Sequence, residues 1–202
     1  LEDLEATELH LRKALAIDPN QIPARITLSR ILSETESPMF AEQLLADTPR
    51  PIRNHPDILA ETARLQAIMA RPLATIETLI KLTRVEPENG AAWLQLARVQ
   101  EQAGDRAKAA EAYLKAAAHR EPAADFGIQV ARGLQRTGEP RAAADLAAAL
   151  RSEFPEDNNL GLLEGYLAEQ QDRSADARSI YAELLETTNA PGALLALIGL
   201  ES

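Results

Sequence analysis

Apolar and small residues recur along this chain at three- and four-residue intervals, in helix-length segments that end at Pro, Gly or a polar cluster. That spacing puts them on one face of an α-helix. Leu1, Leu4, Leu11, Ala14 and Leu15 mark a first helix over 1–18, stopped by Pro19-Asn20. Further helices are predicted over 22–35, 38–47, 57–69, 72–85, 89–102, 106–119, 124–136, 140–153, 158–170 and 174–186, with Pro191 opening a last one. Pro38 can sit in the first turn of its helix, where its missing N–H costs nothing. Thr48-Pro49-Arg50-Pro51 ends that helix early, because each Pro disfavours helix at the residue before it. No segment reads as a strand. The pattern is all-α.

The segments are copies of one another. Leu59 and Trp93 stand at an interval of 34 in the numbering, and so do Ala63, Ala97 and Ala131. In the second helix of each pair Ala41, Thr75, Ala109, Ala143 and Ala177 keep the same interval, as do Leu45, Leu79, Tyr113, Ala147 and Tyr181. A helix–turn–helix period of that length is the mark of a stacked array. The clearest copy is Asn89–Pro122, which holds the only Trp and a Gly104-Asp105 turn. Small residues at Ser29, Ala63, Ala97, Ala131 and Gly165 would let paired helices approach closely. One hairpin cannot bury such faces alone, whereas stacked neighbours can.

In Trp93-x-x-Leu96-Ala97-x-x-Gln100, Gly104-Asp105, Ala109-x-x-x-Tyr113, Ala116 and Pro122 the chain resembles the tetratricopeptide repeat family. It departs from the family at Ala97, usually Gly, and at Gln100, usually Tyr; Pro122 also comes one position late. The resemblance implies a right-handed superhelical α-solenoid of antiparallel helix pairs. Residues 1–202 divide on this reading into a lone second helix over 1–19, a degenerate repeat over 22–55, and repeats over 56–88, 89–123, 124–157 and 158–190. A lone first helix over 191–202 closes it. Unpaired helices at both ends suggest a fragment of a longer array, able to self-associate through uncapped ends. Trp93, Leu96, Ala97, Ala109 and Tyr113 are expected to be packing residues, with Trp93 in the seam between helices.

Composition narrows the function. The formal net charge is −10, which argues against general nucleic-acid binding. There is no Cys, so disulfides, thiol catalysis and Cys-based zinc sites are excluded. His10, His55 and His119 are far apart and fit no metal-ligand spacing, and the scattered glycines form no phosphate loop. No cofactor, metal or catalytic residue is expected. No targeting signal or membrane-length apolar run is visible, which leaves cytoplasm and periplasm both open.

Against this acidic background Arg30, Arg64, Arg98 and Arg132 recur at intervals of 34 on the first helices. In the resembling family the first helices line a concave groove, and this register looks like one that faces it. A row of guanidinium groups grips carboxylates in bidentate fashion. Gln95 and Gln129 stand beside the row, with Thr27 and Glu61 in the same register, and Ile26, Ala60, Leu94 and Ile128 one turn before. Two readings stay open. The row faces a ligand, or it is neutralised internally through Glu34 and Glu61; likewise Ile26, Leu94 and Ile128 line the groove or belong to the core.

The function expected is a non-enzymatic scaffold for protein–protein interaction, holding an acidic peptide or protein segment in the groove. The alternative is a structural or assembly component of a bacterial envelope system, for polysaccharide export or secretion, or a regulatory array beside an enzyme domain.

Overall fold

The computed structural model describes residues 2–188 and 191–200, so Leu1 and the last residues of the 158–190 and 191–202 segments lie outside it. The described residues form helices and turns with no strand. In order they are α1 (Glu2–Ile17), α2 (Ile22–Thr35), α3 (Pro38–Ala46), α4 (Pro56–Ile68), α5 (Pro72–Val85) and α6 (Gly90–Gln102). There follow α7 (Arg106–Ala118), α8 (Ala124–Thr137), α9 (Pro140–Glu153), α10 (Asn158–Glu169), α11 (Ser174–Thr188) and α12 (Pro191–Leu200). Each expected helix is present, with its ends displaced by no more than a position or two.

The chain divides into two compact units, Leu1–Ala103 and Gly104–Ser202. The division falls at the Gly104 turn, so α6 belongs to the first unit and α7 to the second. Within the first unit each helix packs on the next from α1 to α6, and α2 also touches α4. Within the second the same succession runs from α7 to α12, and α8 touches α10. Helix pairs packed in chain order are what a period of stacked hairpins requires.

The turns inside the pairs share one device. Ala70, Gly104, Gly138 and Asp172, each one period after the last, all have left-handed backbone, with φ of 54°, 85°, 99° and 58°. After three of them the next amide donates back into the last turn of the preceding helix: Arg71 N–H to the Gln66 carbonyl, Glu139 to Leu134, and Arg173 to Ala168, at 2.8–2.9 Å. This is the Schellman closure that satisfies the last carbonyls of a helix. The first pair differs. Glu36 has φ −115°, and Ser37 caps α3 by accepting the Met39 N–H at 3.2 Å.

The small positions sit in the seams. Ser29, Ala63, Ala97 and Ala131 are at most 1% exposed, and the facing Ala41, Ala109, Ala143 and Ala177 are fully buried. Tyr113 is fully buried and lies against Gly133 of the next pair, where a Cβ would overlap its ring; Tyr181 lies against Gly165 of its own pair, where a Cβ would overlap its ring too. Tyr181 donates to Glu169 Oε1 at 2.6 Å, and burial with that carboxylate pushes its phenol pKa up. Leu96 and Ala97 are buried, whereas Trp93 is half-buried. Its indole N–H donates to the Pro87 carbonyl at 2.8 Å, which ties the side chain to the loop that enters α6.

Arg25 occupies the register of Trp93 two repeats earlier and is 4% exposed. Its Nη1 donates to the Leu44 carbonyl at 2.7 Å and its Nη2 to the Pro19 carbonyl at 3.0 Å. Burial pulls its pKa down, with Asp47 opposing. The guanidinium thus ties together the loop before α2 and the end of α3, where the degenerate repeat lacks an aromatic residue.

Candidate functional site

In the first unit α2, α4 and α6 together wall a groove of about 630 Å³. Arg30, Arg64 and Arg98 all line it, one from each helix, because the repeat period returns the same face of each first helix. Gln95 and Gln102 add amides, Ile26, Ala60, Ala63, Ile68 and Val99 add apolar surface, and Asp57 and Glu61 supply its carboxylates. Three guanidinium groups therefore meet two carboxylates in a protein whose overall charge is strongly negative.

Glu61 organises the middle of this wall. Its side chain is 2% exposed and both oxygens are engaged. Oε1 accepts from Arg64 Nη2 at 2.5 Å and from the Ser29 hydroxyl at 3.2 Å. Oε2 accepts from Arg64 Nε at 3.0 Å and from Arg30 Nε at 3.3 Å. Burial alone would push this carboxyl up, but the hydrogen bonds from Arg64, Arg30 and Ser29 with the Arg64 charge outweigh it and hold the pKa below its ordinary value. The same bond holds Arg64 more firmly protonated. Arg64 presents its whole Nε/Nη2 edge to Glu61, whereas Arg30 uses only Nε. The side-chain exposures, 62% for Arg30 and 38% for Arg64, follow from that difference.

Arg132 and Gln129 lie in the second unit, exposed on α8. There Arg132 lines a smaller hollow of about 260 Å³ with Gln135, Arg136 and Tyr166. Arg136 also reaches the Tyr113 hydroxyl at 3.4 Å. No group of three or more His, Cys, Asp or Glu side chains placed to hold a metal ion occurs among the described residues, and none of their helices is long and apolar enough to cross a membrane.

No protein-family model matches the sequence, and no curated protein matches it. Solved structures do match in shape. YrrB, a TPR protein with an unusual peptide-binding site, superposes with a TM-score of 0.71 at 14% identity, over 95% of this chain and 98% of its own. PilF from Pseudomonas aeruginosa gives 0.66 at 18% identity, over 99% of this chain and 90% of its own. PilW, a widely conserved type IV pilus biogenesis factor, gives 0.65 at 15% identity, over 97% and 91%. The fold is that of the tetratricopeptide repeats.

Within this tetratricopeptide-repeat fold the register explains which positions sequence reasoning reached and which it did not. Arg30, Arg64 and Arg98 come together because they recur with the repeat inside one unit, and Gln95 lines the same groove from α6 beside Arg98. Leu94 and Ile128, left between groove and core, are buried in the core at 5% and 7% exposure. Ile26 does both, lining the groove and packing against the core of the first unit. The Arg30–Glu61 contact is present, so the row is partly neutralised at its first two rungs. Sequence reasoning missed Tyr166, although it stands one period after Arg132 and continues the register with an exposed aromatic ring. Adding one more period to the arginine row would have found it.

Proposed function

We propose that the protein is a non-enzymatic interaction scaffold, and that the Arg30–Arg64–Arg98 groove binds an extended peptide or protein segment bearing acidic and apolar side chains. The observation that carries this reading is the convergence of three guanidinium groups on one largely apolar groove in a chain of net charge −10. Arginine forks select carboxylates, the apolar wall accepts the intervening side chains, and Gln95 and Gln102 can serve a peptide backbone. A fold neighbour described as having a peptide-binding site is in keeping with it. Arg132 and Gln129 offer the same chemistry in the second unit by themselves. A role in envelope assembly has the likeness to PilW beside it, which at 15% identity carries the fold and not the role.

The test is fluorescence polarisation with a fluorescein-labelled, C-terminally amidated peptide of Glu, Leu and Ser, against the same peptide with Lys for Glu. The acidic peptide should bind more tightly. Arg98→Glu, on an exposed helix face, should weaken it by about tenfold at low ionic strength, with the gap narrowing as salt screens the charges. Helical circular dichroism should be unchanged. Equal affinity of wild type and variant would overturn the assignment.

A further inference from the structure

The groove of the first unit is walled by more than first helices. Thr75 and Leu79 of α5, 2% and 1% exposed, line it as well, together with Ala63 of α4 at 1%. α5 packs on both α4 and α6, so the groove reaches it through a cleft between those two. Among the described residues α6 packs less closely on α4 than α2 does, which leaves the cleft open. Side-chain size contributes. α2, α6, α8 and α10 carry Ile26, Leu94, Ile128 and Leu162 at one register, where α4 has Ala60. Ala60 lines the groove, as does Ala67 two turns on. The smaller hollow of the second unit is lined from α8 and α10.

The cleft is aliphatic. Val99 and Ile68 stand at its sides, Ile68 with 53% of its surface exposed. Thr75 brings a hydroxyl to the floor, but that hydroxyl already donates to the Arg71 carbonyl at 2.9 Å. A polar group entering there would give up its water for no new hydrogen bond, whereas an apolar one gains by leaving water. Beside the cleft, Arg64 gives Glu61 its Nε and Nη2, and Arg30 gives only its Nε. Their other guanidinium nitrogens make no hydrogen bond among the described residues. Arg98 has an interaction of its own within the protein.

We infer that this cleft is the apolar anchor site of the groove, taking one Leu- or Ile-sized side chain of the bound segment next to an acidic residue held by Arg30 and Arg64. The inference rests on the groove being a peptide site and names the residue class that fixes the segment's register. Charge and apolar contact then act at separate places. The guanidinium groups select acidity, and the cleft selects a branched aliphatic side chain over a short or polar one.

The test compares, by fluorescence polarisation, the amidated Glu/Leu/Ser peptide with the same peptide carrying Ala for Leu and with the one carrying Lys for Glu. Wild type should bind the Leu peptide about tenfold or more tightly than the Ala peptide, the scale of burying one such side chain. Ala60→Leu gives α4 the kind of residue its neighbours carry and should erase that preference, with circular dichroism unchanged and the preference for Glu over Lys intact. Methyl NMR supplies the location. The Leu79 and Val99 methyl signals should shift on adding the Leu peptide and stay in place with the Ala peptide at equal occupancy. Equal binding of the Leu and Ala peptides to wild type, with the Glu preference present, would overturn the cleft and leave the groove as a peptide site. So would a Leu preference that survives Ala60→Leu while the Leu79 signals stay still. Failure of wild type to prefer Glu over Lys would overturn the groove reading itself, and the Leu79 shifts still judge the cleft in that case.

Discussion

Glu61 shows how far one side chain departs from its repeat. Thr27, Gln95 and Gln129 share its register and are exposed, while Glu61 turns inward because Ser29, Arg30 and Arg64 offer donors to both its oxygens. Removing a carboxylate from water is unfavourable unless its lone pairs are met, and here they are. Its pKa lies below the unfolded value, so the folded state gains stability that is present above the ordinary Glu range and lost as pH falls through the lowered value. Urea unfolding between about pH 6 and pH 3 should therefore show a steeper acid loss for wild type than for Glu61→Gln. Parallel curves would mean the cradle adds nothing to the fold. The arginine row was legible by subtraction alone. The burial of Glu61 was not, because rotamer and cross-helix donors decide it and a linear pattern contains neither.

At the scale of elements, the turns carry the repeat as faithfully as the helices do. The sequence marks Gly104 and Gly138 as turn glycines, but the same left-handed backbone is imposed on Ala70 and Asp172. For an L-residue that conformation costs roughly 1–2 kcal/mol, less for Asp, whose short polar side chain tolerates it. Ala70 keeps it because helix packing on either side and the Arg71-to-Gln66 hydrogen bond at 2.9 Å over-determine the turn. Ala70→Gly should stabilise the protein by about 0.5–1 kcal/mol, the strain relieved less the entropy of a more flexible unfolded chain. Chemical denaturation at fixed pH would measure it, and a destabilised variant would show the strain to be absent. The seams follow the same logic from the other side. Tyr113 fits because Gly133 has no side chain, and no helix pattern read by itself matches that ring to that notch.

At the scale of the molecule, packing runs between helices close in sequence within each unit. α1 meets α2 and α12 meets α11, while α4 and α8 have neighbours on several sides. Stability in such stacks is a sum over repeats and their shared faces. Native-state hydrogen exchange should therefore be fastest in α1 and α12 and slowest in helices such as α4 and α8. Uniform protection along the chain would instead require each unit to open only as a whole.

Repetition alone encodes the helix positions, the pairing in chain order, the small residues in the seams and the register of Arg30, Arg64, Arg98 and Arg132. Local helix rules and a constant period suffice for these, since each depends on residues close in the chain or one repeat away. Other outcomes waited for the packed helices: which carboxylate enters the row, that Leu94 and Ile128 face the core, that the Trp93 indole bonds the Pro87 carbonyl, and that Arg25 fills the register of Trp93. Those turn on which donors and how much space neighbouring helices present to one another. Some of these partners, such as Glu61 with Ser29 and Arg30, are separated by most of a repeat. Others, such as Arg25 with Pro19, are a few residues apart. In both cases the packing of neighbouring helices, not a local pattern, selects the contact.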